Sequence, residues 1–228
     1  MAGNNLNFLE YSNKEDLVSS VAQILANDLS SAMKVRQNVF FSVPGGGTPG
    51  PIFDELCEFD LDWSRVSIIL NDERWVPETN ARSNTKLLRE RLLIKKASRA
   101  TYISMYSNNL TPELGIPKLE QRIERHLPIS VLLFGMGADM HTASLFPNGD
   151  NLKKALSDNA PILLPMRSES TLEARITLSA KVLNHSKIKH LVIFGEEKRA
   201  AFEKAIDLPN IRAPISAVLP GASVHWAL

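Results

Sequence analysis

Four short, mostly apolar runs constrain this chain more than any other feature. They are Asn38–Val43, Val66–Leu70, Val131–Phe134 and His190–Phe194, and each ends at glycines or a cluster of charge. Runs of this length without polar alternation read as strands buried on both faces. Before and between them lie stretches with apolar residues at helical spacing. Leu17, Val21, Ile24, Leu25, Leu29 and Met33 form one such face, and Ile116, Leu119, Ile123 and Leu127 form another. Buried strands alternating with amphipathic helices predict an α/β layered fold, a mostly parallel sheet flanked by helices. The pattern runs through residues 1–228 as a single domain. Ligands of open α/β sheets bind just beyond the carboxyl ends of the strands, so the loops after these runs are the places to search.

The loop after Val131–Phe134 carries the most chemistry. It contains Gly135 and Gly137, then Asp139 and His141 two residues apart, then an apolar stretch to Pro147. A histidine and a carboxylate in a glycine-hinged loop suit general acid–base work. A histidine bonded to backbone in a turn is the plainer alternative. After Asn38–Val43 comes Pro44–Pro49, with Gly45, Gly46 and Gly47 in a row. Thr48 suits a helix N-cap and Pro49 the first helical position. Such a loop points amide N–H groups at an anion, usually a phosphate, although it matches neither common nucleotide-loop pattern. A plain tight turn remains the other reading. Val66–Leu70 runs into Asn71–Pro77, where Asp72, Glu73 and Arg74 cluster and Trp75 and Val76 indicate partial burial. A buried arginine needs a carboxylate or a ligand anion. Ser83 caps the next helix, whose buried stripe is Leu87, Leu88, Leu92 and Leu93.

Further strands are expected at Leu6–Tyr11 (an edge), Thr101–Met105, Pro161–Pro165, Arg175–Leu178 and Val224–Leu228, with a polar loop at Ser107–Gly115. Short helices are expected near Leu152–Leu156, at Ala180–His185 and in the PISAVLPG segment. Lys198 sits in the first turn of a helix over Glu196–Ile206. A cation there opposes the dipole unless an anion lies between them. The chain holds 26 Lys and Arg against 25 Asp and Glu, a net charge of +1. That balance gives no footprint for nucleic acid or a membrane surface, so any anion site must be a local cluster. Cys57 is the single cysteine, and it reads as a packing residue in a chain suited to a reducing compartment. No apolar run approaches the roughly 18 residues of a membrane span. The N-terminus lacks the basic and apolar regions of a secretory leader. A cytoplasmic protein, monomeric or weakly dimeric, is expected.

With the glycine loop, Asn71–Pro77, Ser83–Asn84, Gly135–Pro147, Arg175–Leu178 and Gly195–Lys198 all in view, the chain resembles the 6-phosphogluconolactonases from about Asn38 to Trp226. The resemblance implies a Rossmann-like fold of the glucosamine-6-phosphate isomerase/deaminase superfamily. It implies hydrolysis of 6-phospho-D-glucono-1,5-lactone to 6-phosphogluconate in the oxidative pentose phosphate pathway, with no metal or organic cofactor. The one expected partner is a small phosphosugar lactone. His141 would be the general base that activates water, and Asp139 would orient its ring. Gly45, Gly46, Gly47, Thr48, Asp72, Arg74, Asn84, Arg175 and Lys198 would bind the substrate and its phosphate. Three residues depart from the family's usual pattern: Gly47 for Ser, Met140 for Gly and Arg82 for Asp. If the loop turns sharply at Met140, its Cβ is strained at positive φ. The expectation taken here is normal φ, with the side chain packed on the sugar or on Phe146. Two other activities stay open. One is a glucosamine-6-phosphate deaminase/isomerase, which calls for further carboxylates that Thr142–Phe146 do not supply. The other is a sugar-phosphate-binding regulator without catalysis.

Overall fold

The computed structural model describes residues 6–169 and 171–228. Part of the N-terminal segment read above for a leader, residues 1–5, lies outside the described residues. Seven strands form one sheet in which every pairing is parallel. In chain order they are β1 (Asn7–Glu10), β2 (Val39–Val43), β3 (Val66–Leu70), β5 (Thr101–Tyr102), β6 (Val131–Gly135), β9 (Ile188–Phe194) and β10 (Ser223–Ala227). Their order across the sheet is β1-β10-β9-β6-β2-β3-β5. Three more strands, β4 (Asp72–Arg74), β7 (Leu163–Met166) and β8 (Arg175–Leu178), form a small antiparallel sheet in the order β4-β8-β7. The helices are α1 (Lys14–Val35), α2 (Gly50–Leu56), α3 (Asn84–Arg91), α4 (Pro112–Glu124), α5 (Leu152–Ala155), α6 (Ala180–Asn184) and α7 (Glu196–Ala205).

The sequence dictates these choices locally. β2 and β3 are buried at every position, as unalternating apolar runs require. Asn13 caps α1 by accepting from the Asp16 N–H, and Leu17, Val21, Leu25 and Leu29 are fully buried on its inner face. Ser83 caps α3 in the same way. No helix among the described residues is long and apolar enough to cross a membrane.

Several boundaries differ from the sequence reading. Helix α4 begins at Pro112, inside the stretch expected to be a loop, and ends at Glu124, before His126 and Leu127. Proline at the first helical turn loses no hydrogen bond. The expected strand Thr101–Met105 is only two residues long, because beyond Tyr102 one further bond, Ile103 N–H to Ile68 carbonyl, holds it to β3. The expected Pro161–Pro165 strand is β7, shifted to pair with β8. Thr48 makes no cap bond, since α2 starts one residue later than expected, with Pro49 in the cap position. The segment before β10 forms only a 3-10 turn, Pro214–Ala217.

The topology selects one place on the sheet. From β2 the chain moves outward to β3, and from β6 it moves the other way to β9. The loops after β2 and β6 therefore part at the carboxyl edge, the switch point where α/β sheets bind ligands. Asn71 knits that edge together. Its side chain accepts from Ser42 Oγ at 2.7 Å and donates to the Leu133 carbonyl at 2.9 Å. Its backbone N–H donates to Val43, and its carbonyl accepts from Leu178 at the end of β8. One buried asparagine thus joins the small sheet to the large one.

Candidate active site

Beyond Asn71 the chain enters β4, whose residues alternate in direction. Glu73 turns inward and is fully buried. Its carboxylate accepts from the backbone N–H groups of Arg74, Asn84 and Thr85 and from the hydroxyls of Ser83 and Thr85, at 2.7–3.0 Å. Burial pushes this carboxyl above its ordinary value, and the same hydrogen bonds oppose the shift. Three of those donors, the Asn84 and Thr85 N–H groups and the Thr85 hydroxyl, belong to the first turn of α3, so Glu73 locks the helix start that presents Asn84. Asp72 and Arg74 line a cavity of about 620 Å3 at the switch point. Arg74 Nη1 donates to Asn84 Oδ1 at 2.5 Å and to the Arg82 carbonyl at 2.8 Å, and Asn84 Nδ2 donates to the Asp72 carbonyl at 3.0 Å.

Pairing of β4 with β8 sets Arg74 directly opposite Arg175. Like charges in that register are unfavourable. Arg175 is 9 % exposed, and none of its side-chain nitrogens is bonded to another described residue. The Nε atoms of both arginines are buried and unpartnered. Burial pushes the Arg175 guanidinium below its ordinary value and the Arg74 charge adds to this, while Asp72 opposes it. Lys198, in the first turn of α7, is half-buried in the same cavity, and burial lowers its ammonium too. Gly45 and Gly46 bring backbone to the cavity wall, and their N–H groups have no acceptor among the described residues. A Cβ on Gly45 would lie 2.0 Å from Asn84 Cγ, so the loop and α3 meet only because Gly45 has no side chain.

The opposite wall is the loop after β6. Gly137 N–H donates to the His141 carbonyl at 3.0 Å, and Met140 N–H donates to the Gly137 carbonyl at 2.9 Å. This tight closure puts Met140 in the left-handed region, φ 67°, and Ala143 follows at φ 50°. The expectation of normal φ at Met140 is therefore wrong. Its carbonyl accepts from Ile215 N–H, its side chain packs against the core, and Phe146 packs instead on His141. The ring centroids of His141 and Phe146 are 4.9 Å apart. His141 Nδ1 lies 2.5 Å from Asp139 Oδ1. The bond from His141 holds the Asp139 carboxyl below its ordinary value. An ionised carboxylate only accepts, so Nδ1 carries the proton and Nε2 keeps a free lone pair. Ser144, fully buried, ties this loop to the other wall by donating Oγ to Asp72 Oδ2 at 2.5 Å.

Ten of the residues singled out in the sequence thus share one cavity: Gly45, Gly46, Thr48, Asp72, Arg74, Asn84, Asp139, His141, Arg175 and Lys198. Gly47 does not line it, and a Cβ there would meet open space. Sequence reading overlooked Ser144, Thr171 and the roles of Asn71 and Glu73. Tertiary contacts reveal Ser144, Asn71 and Glu73, and Thr171 is found only by its place in the cavity wall. Among the described residues no three His, Cys, Asp or Glu side chains gather as a metal site.

Fold and site define an α/β protein whose switch-point cavity sets two arginines and a lysine beside a histidine–carboxylate pair. Residues 12–226 match the family model of glucosamine-6-phosphate isomerases/6-phosphogluconolactonase. A 6-phosphogluconolactonase of Pseudomonas aeruginosa is 36 % identical over 214 residues, covering 90 % of this chain and 88 % of that protein. One from Neisseria meningitidis is 35 % identical, covering 95 % of each. The crystal structure of a 6-phosphogluconolactonase from Shewanella baltica superposes with a TM-score of 0.95 at 31 % identity, covering 98 % of both chains. The chain belongs to the glucosamine-6-phosphate isomerase/6-phosphogluconolactonase family.

Proposed function

We propose that this protein hydrolyses 6-phospho-D-glucono-1,5-lactone to 6-phospho-D-gluconate, the lactonase step of the oxidative pentose phosphate pathway. One observation carries the reading. Two arginines face each other across a ladder, each with a buried unpartnered Nε, in the cavity that also holds His141 and Asp139. A dianionic phosphate relieves the repulsion between the arginines and fills their vacant donors. The glycine-loop amides and Lys198 add to that grip.

The chemistry then follows from the histidine. His141 Nε2 takes a proton from water as the water attacks the lactone carbonyl. Asp139 holds the ring and stabilises the imidazolium that forms. The proton returns from Nε2 to the departing ring oxygen, and the ring opens to the acid. Membership of the family and the likeness to relatives named 6-phosphogluconolactonase support this substrate. The deaminase reading is disfavoured because His141 rests on Phe146, and Asp72 and Asp139 are the only carboxylates lining the cavity among the described residues. A cytoplasmic location, a monomer or weak dimer, and a single unit spanning the chain fit this reading.

The test is a coupled assay of lactone hydrolysis beside one of glucosamine 6-phosphate turnover. Lactone activity is expected, with kcat falling about 10²–10⁴-fold in His141→Ala and substrate binding nearly intact. Wild-type kcat in that variant removes His141 as the base.

A further inference from the structure

One ion pair borders the cavity and plays no part in this mechanism. Arg82 grips Glu173 at two points, Nε to Oε1 and Nη2 to Oε2, the latter at 3.0 Å. The fork is the strong geometry for a guanidinium and a carboxylate. Glu173 stands two residues before Arg175, and the Trp75 N–H to Ala174 carbonyl bond carries the β4–β8 ladder past Arg175 towards it. The two side chains feel each other's charge. The Arg175 guanidinium has no bonded partner among the described residues. After Asp72, Glu173 is the second carboxylate whose charge bears on this mostly buried guanidinium, yet it is held by Arg82. Arg82 does not line the cavity, and its carbonyl, not its side chain, reaches Arg74.

Building on the function proposed above, we propose that Arg82 is a positioning residue: it sequesters Glu173 and so keeps Arg175 available to the substrate's phosphate. Without it the carboxylate swings to Arg175 and competes with the ligand from within the chain. The apparent affinity then falls by the fraction of molecules in which Arg175 is already occupied.

Four proteins decide the matter: wild type, Arg82→Ala, Glu173→Gln and the double variant. For each, KM and kcat are measured on the lactone, and the Kd of inorganic phosphate is measured by calorimetry. Arg82→Ala is expected to raise KM and Kd together by about fivefold with kcat unchanged, the scale of one partly exposed ion pair. It keeps the backbone carbonyl that Arg74 uses. The double variant is expected to return both constants to within twofold of wild type, and Glu173→Gln alone to leave them equal or tighter. A merely structural pair gives no such rescue, so a double variant as weak as Arg82→Ala overturns the proposal. Wild-type constants in Arg82→Ala overturn it too. Phosphate binding is read without turnover. If the wild type leaves the lactone intact while the Kd pattern holds, the substrate assignment fails and the role of Arg82 stands.

Discussion

Gly137 is where the smallest change should do the most damage to catalysis. A Cβ at this position would lie 2.3 Å from both Cε1 and Nδ1 of His141 and 2.6 Å from Asp139 Oδ1. Carbon contacts settle near 3.5 Å, so Gly137→Ala must push the ring or the loop by roughly 1 Å. Neither is free to yield without consequence. The ring is held by Asp139 and backed by Phe146, and Gly137 N–H closes the loop onto the His141 carbonyl. A misplacement of about 1 Å at a reacting group costs about 10²-fold in rate. The expected result is kcat lower by about two orders of magnitude. KM and inorganic phosphate inhibition should change less than threefold, because Arg74 and Arg175 lie on the other sheet. Steady-state lactone hydrolysis with phosphate as competitor reads both, and a melting curve checks folding. Wild-type kcat in a folded Gly137→Ala protein refutes the placement of His141 as the base.

Arg175→Met should raise KM about ten- to hundredfold, the loss of a charge-assisted bond of roughly 1.5–3 kcal/mol. It should also raise the melting temperature of the ligand-free protein by about 2–4 °C, since it removes an unsatisfied donor and a like-charge pair; a lower melting temperature counts against the strain argued here. Met140→Gly should keep kcat and change stability by less than about 1 kcal/mol, because strain relief offsets the entropy of a glycine. Met140→Ile, branched at positive φ, should lose at least about 1 kcal/mol and part of kcat; equal behaviour of the two variants contradicts the left-handed turn. Acid should weaken the fold through the buried chain Asp28–His190–His225–Tyr11, linked at 2.8, 3.0 and 2.8 Å. Burial, then the His190 charge, depresses His225 to about 3. The unfolded state therefore binds more protons below about pH 6.5, and stability falls as pH falls from there towards 3. Denaturant titrations at pH 6.5 and 5 should differ by about 2 kcal/mol from this group, and the difference should shrink in His225→Phe.

The layered architecture was legible because β2, β3, β6 and β9 announce themselves as buried runs, and the loops after two of them carry the glycines and the His–Asp pair. The small sheet was not legible. Nothing local to Asp72–Arg74 or Arg175–Leu178 says that they pair, since the partners are separated by the whole middle of the chain and the register comes from tertiary contact. For the same reason the opposition of Arg74 and Arg175 could not be foreseen, although both had been singled out as cations at strand ends. The backbone at Met140 misled for a different reason. Side-chain identity argues against a left-handed residue, but two loop hydrogen bonds and the Ile215 contact outweigh an intrinsic cost of about 1–2 kcal/mol.

The seam between the two sheets has a further meaning. Asn71 and Ser144 fix the small sheet, which carries the two arginines, against the large one, which carries the histidine. On the proposed function, the span from phosphate to scissile carbonyl is set by how the two sheets are fastened to each other, and the substrate is measured by length. A lactone whose phosphate sits one carbon nearer its ring is then expected to reach the arginines but to fall short of His141.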